Sequence, residues 1–337
     1  MDSVLIRIDT EQEENIVSNL LLYAVTEYIV RNKMDVLYLN EIKLQKTIYK
    51  TCDDLNIPLT RSWYKRGCFV HNPNIKRENL KNILRSDASL DEVIQFKKEH
   101  EAEYHNILKI LTKNMNKVWY ISTKKLLEIL YKNRAPGLYK ALYQSNNIIL
   151  STNTQIRDSL REYIPLQFAN RRSNNQYYYN LLSRSISQVH IELVSNERFQ
   201  CIINPYIEFT DFLENVYIKI DDILTSDLSV PVEVANLFES IDRRYYDYVW
   251  GGPALVISKE TVKGAQADDY KEKSEKQVEN YFDDIDAVLN GLQSESERCK
   301  LSPSLDEMER TNSILTERLN VAVKDNLKEF WKLYNKV

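Results

Sequence analysis

Glycine is scarce in this chain, and its scarcity limits the folds the chain can adopt. Only six glycines occur among 337 residues, whereas an average protein has about 7% glycine. Enzymes of the α/β class use glycine in tight strand-to-helix turns and where the backbone contacts phosphate. The sequence contains no Walker A loop, no GxGxxG and no GxSxG motif. We therefore expect neither a nucleotide-binding α/β enzyme nor an α/β-hydrolase.

The stretch from Leu39 to Asn72 carries the clearest local pattern. Its first half predicts a helix over Glu41–Leu55, with Asn40 as the N-cap and an apolar face at helical spacing. We expect three side chains of this helix to anchor the N-terminal core: Leu44, Ile48 and Tyr49. The second half, from residue 59 to residue 70, is rich in β-branched and aromatic residues and predicts a short β-hairpin that turns near Arg66-Gly67.

Basic residues accompany both halves of this stretch. On the helix they fall on a side next to the apolar face, and in the hairpin they fall at the turn. We expect them to form an exposed patch that binds a partner: Lys43, Lys46, Lys50, Lys65 and Arg66. A solvated helix face with no partner is the alternative interpretation.

A family resemblance rests on the same residues. It is carried by a helix ending near Arg31, the run Lys43-Leu44-Gln45-Lys46, Tyr49, and Trp63-Tyr64 leading to Gly67. Residues 15 to 75 resemble the Panacea, or SocA-like, domain of prokaryotic antitoxins, proteolytic adaptors and phage-associated proteins. The chain departs from the family pattern at Gly67-Cys68, where the family has Gly-Pro. The resemblance implies a non-enzymatic module that binds another protein.

Helical patterns continue along the rest of the chain, so the predicted fold class is mainly α: a multi-helix globular body with one short β-hairpin and a C-terminal helical hairpin. The predicted domains are residues 1–135, 136–258 and 259–337. A break is expected at Ala135-Pro136-Gly137, followed by a short helix over Leu138–Gln144 that ends before the polar run Ser145-Asn146-Asn147. Ala254–Ile257 is expected to form a strand.

The C-terminal hairpin is predicted from helices over Tyr270–Leu292 and Pro303–Lys336. An apolar stripe on the second helix must be covered by the protein's own body or by another chain. The stripe residues through which an oligomer would form are Leu315, Leu319, Phe330, Trp331 and Tyr334. Packing within the chain is the preferred interpretation, because a short loop lets the two helices fold back on each other.

Composition supports a cytoplasmic protein with no membrane segment and no cofactor. The four cysteines are widely separated and form no CxxC pair, as is typical of free thiols in a reducing compartment. No run approaches the length of about 18 apolar residues that a membrane helix needs. The formal net charge of −4 argues against a protein that binds polyanions with its whole surface.

Catalytic and metal-binding motifs are incomplete. Cys68 and His71 offer two metal ligands where a structural zinc needs four, so no metal is expected. Two Arg-to-His spacings resemble the Rx4-6H motif of HEPN ribonucleases: Arg66 to His71, and Arg184 to His190. The second follows Arg171, Arg172 and three consecutive tyrosines, residue types that bind phosphate and stack on bases.

Two functions remain from the sequence. The first is a non-catalytic protein-interaction module of the antitoxin or phage-defence kind. The second is a nucleic-acid-binding protein or HEPN-like ribonuclease from such a system, with Arg184 and His190 as its catalytic pair. The absence of a complete catalytic set favours the first.

Overall fold

The computed structural model describes residues 6–85, 91–161, 168–225 and 232–302. Within them the fold is mainly α-helical with one two-stranded hairpin, which confirms the predicted class. The elements are α1 (Glu11–Arg31), α2 (Glu41–Leu55), β1 (Arg61–Tyr64), β2 (Gly67–Val70), α3 (Arg77–Arg85), α4 (Asp91–Glu99), α5 (Glu101–Val118), α6 (Thr123–Arg134), α7 (Lys140–Arg161), α8 (Phe168–Val194), α9 (Ile203–Thr225), α10 (Val232–Arg244), α11 (Gly251–Thr261) and α12 (Ala267–Arg298).

Helix α2 forms for the reasons that the sequence indicates. The Asn40 side chain accepts a hydrogen bond from the Lys43 backbone N–H at 3.0 Å, which satisfies one of the free donors at the helix start. The helix ends at Asn56, which takes the left-handed conformation common after a last helical turn. Leu44 and Ile48 are completely buried. The predicted core anchors are therefore confirmed.

The hairpin also forms as predicted and is held by the C-terminal part of the described chain. Its strands pair antiparallel, and Gly67 at the turn has a φ of 84°. On the outer side of β1, Arg61 forms a β-bridge with Lys263, and the Trp63 backbone N–H donates to the Thr261 hydroxyl. Buried apolar side chains from Ile6 to Leu301 form one connected cluster. The division into three domains stays a prediction.

The strand predicted at Ala254–Ile257 is wrong, because these residues lie inside α11. A short apolar run has the same pattern in a buried helix as in a buried strand, since every side of it meets other side chains. The preceding residues made a strand plausible, but a proline is tolerated in the first turn of a helix, where Pro253 lies.

The predicted end of a short helix before Ser145-Asn146-Asn147 is also wrong, because α7 runs through these residues without interruption. Asn146 is buried, and its side-chain oxygen accepts a hydrogen bond from the Tyr245 hydroxyl at 2.8 Å. Polar residues in this helix thus face a partner inside the protein. Their polarity alone does not indicate a loop.

The first helix of the predicted C-terminal hairpin is present as α12, which is longer than expected at both ends. The second helix and its apolar stripe lie outside the described residues, so packing within or between chains stays a prediction. In the described part of the chain, no helix has the length and apolarity required to cross a membrane.

Candidate functional site

Lys43 and Lys46 do not form an exposed patch; the prediction of their exposure is wrong. Each has only 6% of its surface accessible. The Lys43 ammonium donates to the backbone carbonyls of Trp119 at 2.7 Å and Tyr38 at 2.9 Å. The Lys46 ammonium donates to the Cys68 carbonyl at 2.5 Å. Both side chains point inward because α2 is packed against α5 and the hairpin, whose carbonyls need donors.

Gln45, between these lysines, also binds the backbone of neighbouring segments. Its amide N–H donates to the Ile75 carbonyl at 2.7 Å, and its amide oxygen accepts from the Val70 N–H at 3.1 Å. The polar residues of the 43–46 run therefore fasten loops and the hairpin to α2. The run has a structural role that explains its composition without any partner.

The remaining basic residues of the predicted patch are more accessible. Lys50 is partly exposed and forms an ion pair with Asp54 at 2.6 Å. At the hairpin turn, Lys65 and Arg66 lie over the ring of Tyr246, with the Arg66 guanidinium carbon 4.8 Å from the ring centre. Arg66 is the exposed member of this pair. Whether these residues bind a partner stays a prediction.

A cavity of about 620 Å³ lies beside Lys46, between α2, the hairpin and the segment that links the end of α5 to α6. We call it the α2–α6 cavity. Its wall is mostly apolar and includes Trp63, Val118, Ile121, Leu126, Ile129 and Leu130. Ile129 remains 40% exposed at this surface. The volume and mostly apolar wall of this cavity lie in the range of small-molecule sites in proteins.

Four cationic side chains line the α2–α6 cavity: Lys46, Lys50, Lys117 and Arg134. Lys117 and Arg134 are exposed. Among the described residues of the lining, Asp53 is the one carboxylate, and it pairs with Arg61 and Lys263, so its charge is already compensated. Lys50 is paired with Asp54, so the positive charge that the cavity offers to a ligand comes mainly from the exposed Lys117 and Arg134.

Burial shifts the ionisation of the groups at the inner end of the cavity. It lowers the pKa of the Lys46 ammonium to about 8, because the charged form loses its hydration. It raises the pKa of the Cys68 thiol to about 11 and also raises the pKa of the Tyr49 phenol. Near neutral pH, the thiol and the phenol are neutral, while a fraction of Lys46 is an uncharged amine.

A second polar cluster joins the hairpin to α11 and α12. The Ser62 hydroxyl lies 2.6 Å from His71 Nε2 and 2.5 Å from the Ser258 hydroxyl, which lies 3.1 Å from the Tyr270 hydroxyl. A serine next to a histidine resembles a nucleophile with its base. Ser62 and Ser258 are completely buried, however. No substrate can reach them in this fold, and the cluster connects structural elements.

The lowered pKa of His71 leads us to predict that the stability of the protein depends on pH. Burial lowers its pKa to about 3, against about 6.5 in an unfolded chain. The unfolded state therefore binds more protons below pH 6.5, and stability falls as the pH is lowered from there toward 3. We expect a loss of about 2 kcal/mol from His71 between pH 7 and pH 5. Denaturant unfolding at both pH values measures it.

The matched variants for this prediction are His71→Gln and His105→Gln, the second at an exposed position. The first should remove about 2 kcal/mol of the difference between the two pH values, and the second should leave the difference as it is in the wild type. An unchanged pH dependence in His71→Gln contradicts the assignment.

The alternative ribonuclease pair lies on α8. Arg184 is exposed and His190 is partly buried. Six residues apart on one continuous helix, they project about 120° apart around the axis and about 9 Å apart along it, so they do not share a face. Arg171 and Arg172 belong to the same helix, and their side chains lie outside the described part of the structure.

Metal binding finds no support among the described residues, where no group of three or more His, Cys, Asp or Glu side chains is placed to hold an ion. Sequence reasoning missed Ile129, Lys117 and Arg134, which complete the α2–α6 cavity. The sequence shows that these residues lie on α5 and α6. It does not show that these helices pack next to α2, because that contact depends on tertiary structure.

Comparison with known proteins gives a family and no function. A family model described as a domain of unknown function (DUF8098) matches residues 6–83 and 73–328. No curated protein and no solved structure matches the chain. The family match does not connect the chain to the Panacea domain, and that resemblance stays a prediction.

Proposed function

The chain belongs to the DUF8098 family, and we propose that it is a non-catalytic interaction protein that holds an acidic, apolar segment of a partner protein. The α2–α6 cavity carries this proposal through its apolar wall and its exposed cationic side chains, Lys117 and Arg134. The family match adds no antitoxin or phage function, so the proposal is limited to partner binding.

The chemistry of the α2–α6 cavity determines which segment of a partner protein it can bind. An aliphatic or aromatic side chain would bury its surface against Ile129 and Leu130, and each apolar Å² removed from water contributes about 25 cal/mol. A carboxylate next to that side chain would lie near Lys117 and Arg134, both of which are exposed. Opposite charges raise the rate of association and exclude basic segments.

The proposal is tested with labelled peptides that alternate leucine and glutamate, measured by fluorescence anisotropy. Peptides with lysine in place of glutamate are the control ligands. We expect Arg134→Glu and Ile129→Glu to weaken binding of the acidic peptide by about tenfold each, which is about 1.4 kcal/mol. Both positions are exposed and line the cavity, so these changes leave folding intact.

Lys132→Glu is the matched control variant. Lys132 is exposed on the same helix as Arg134, undergoes the same change of charge and is not part of the lining of the α2–α6 cavity. It should bind the acidic peptide almost as the wild type does. Equal losses in Lys132→Glu and Arg134→Glu would show a general charge effect and contradict the proposal.

Nucleic-acid binding is the function that would replace the proposed binding of a partner protein. Labelled single-stranded RNA, titrated at two salt concentrations, should bind weakly. Two residues of the predicted basic patch, Lys43 and Lys46, are buried, and their ammonium groups donate to backbone carbonyls. Tight binding of RNA that falls steeply with salt, together with no binding of the acidic peptides, would favour the nucleic-acid function.

A further inference from the structure

We propose that Lys46 captures an anionic aldehyde as a reversible imine in the α2–α6 cavity. The inference goes beyond partner binding and does not rest on it. Its basis is the position of one amine. Lys46 lines the α2–α6 cavity and also a cleft of about 320 Å³ that includes Tyr64 and Phe69. Both spaces therefore meet at a lysine that is otherwise enclosed by protein.

The surroundings of Lys46 favour an uncharged amine. Among the described residues, the ammonium of Lys46 has one hydrogen-bond acceptor, the Cys68 carbonyl, and no carboxylate is bonded to it to hold the charge. Burial brings its pKa down to about 8. A lysine in an apolar site with a lowered pKa is the usual form of a nucleophilic amine.

The reaction balances without an oxidant or a reductant. The neutral Lys46 nitrogen attacks the aldehyde carbon and forms a C–N bond while the C=O π bond breaks, and one nitrogen proton moves to the oxygen to give a carbinolamine. The carbinolamine then loses its hydroxyl group and the second nitrogen proton as water, and a C=N bond remains. When the imine takes up a proton, its nitrogen carries one N–H, which can continue to donate to the Cys68 carbonyl that accepts from the free lysine. Addition of water reverses every step.

The remainder of the cavity defines the class of aldehyde. The apolar wall, including Trp63 and Leu130, suits an aromatic or aliphatic body. Lys117 and Arg134 are exposed cations that favour a negatively charged group at the other end of the ligand. An aldehyde that carries a carboxylate meets both requirements, whereas a cationic aldehyde does not.

The experiment incubates the full-length protein with 4-formylbenzoate and sodium cyanoborohydride near pH 7.5 and maps the modified lysines by peptide mass spectrometry. Cyanoborohydride delivers hydride to the imine carbon and fixes the adduct. We expect modification of Lys46 to exceed that of exposed lysines such as Lys132 by at least about tenfold, because a far larger fraction of Lys46 is unprotonated. Preference for exposed lysines, or an even distribution, overturns the proposal.

Two comparisons make the result specific to this site. A benzaldehyde with a trimethylammonium group in place of the carboxylate should modify Lys46 at least about fivefold more slowly. Lys46→Arg keeps a cation and cannot form an imine, so the preferential adduct should vanish. If Lys46→Arg does not fold, the mapping on the wild type and the comparison of the two aldehydes still decide. Equal modification by both aldehydes would overturn the assigned ligand class.

The two proposals fail separately. Loss of peptide binding in Arg134→Glu tests the partner segment without any covalent step. Preferential trapping at Lys46 tests the amine without any peptide. A protein that traps the aldehyde at Lys46 and binds no acidic peptide would retain the imine site and lose the proposed interaction.

Discussion

Replacing Trp250 by alanine should lower the free energy of unfolding by about 3 to 5 kcal/mol, the range observed when a buried tryptophan or phenylalanine is truncated. The indole is completely buried. Its N–H donates to the Lys65 carbonyl at 2.8 Å, and its ring lies edge-on to Tyr143 with centres 5.5 Å apart. The change removes the contact with Tyr143 of α7 and leaves the Lys65 carbonyl at the hairpin turn without this donor.

Denaturant unfolding followed by circular dichroism measures the effect. Trp250→Phe keeps an aromatic ring and loses the N–H donor, so it should cost less than the alanine variant. Tyr248→Ala, two residues earlier and 37% exposed, is the control for the general effect of removing an aromatic side chain. A Trp250→Ala protein as stable as Tyr248→Ala would show that the indole is not part of the core.

Gly264→Ala should be similarly damaging, with a loss of at least about 3 kcal/mol. Gly264 has a φ of 122°, which side chains of L-residues rarely adopt. A methyl group there would lie 2.4 Å from the Leu59 carbonyl oxygen and 2.6 Å from the Thr60 α-carbon. Because both obstacles are backbone atoms, no side-chain rotation relieves the overlap, and the adjacent bridge from Arg61 to Lys263 must move.

Thermal and denaturant unfolding compare this variant with Gly137→Ala. An added methyl group at Gly137 meets no atom within 4 Å. Alanine at such a site restricts the unfolded chain and stabilises by about 0.4 to 1 kcal/mol. We therefore expect Gly264→Ala to lower the free energy of unfolding and Gly137→Ala to raise it. A Gly264→Ala protein with wild-type stability would refute the close approach.

Local signals predicted the helices and the hairpin of the first 70 residues well. The end of α1 near Arg31, the bounds of α2 and the hairpin turn at Gly67 follow from caps, spacing and a glycine, which act over a few residues. Asn40 is an example, since its side chain bonds the next turn whatever the rest of the protein does.

The sequence-based predictions were wrong at positions where tertiary packing determines the conformation or the burial of a residue. The run Ala254–Ile257 is apolar on all sides in either conformation, and Asn146 is polar because its partner is a buried tyrosine from a distant helix. Lys46 carries a charge in the sequence and yet is buried, because a carbonyl of the hairpin lies within its reach. The candidate site was missed for the same reason. Its wall is made by α6 closing on α2, and no local pattern records that contact.

The bridge from Arg61 to Lys263 also sets an order of events during folding. The backbone N–H of each residue donates to the carbonyl of the other at 2.9 Å, across about two hundred intervening residues. At a synthesis rate of roughly 5 to 20 residues per second, Lys263 is made tens of seconds after β1. The outer edge of β1 is unpaired during that time. An uncovered strand edge can pair with other chains, so the nascent protein is exposed to misassembly in this interval. Contacts so distant in sequence also slow folding, and a chaperone that shields residues 61 to 64 until α11 has been made would raise the yield of folded protein.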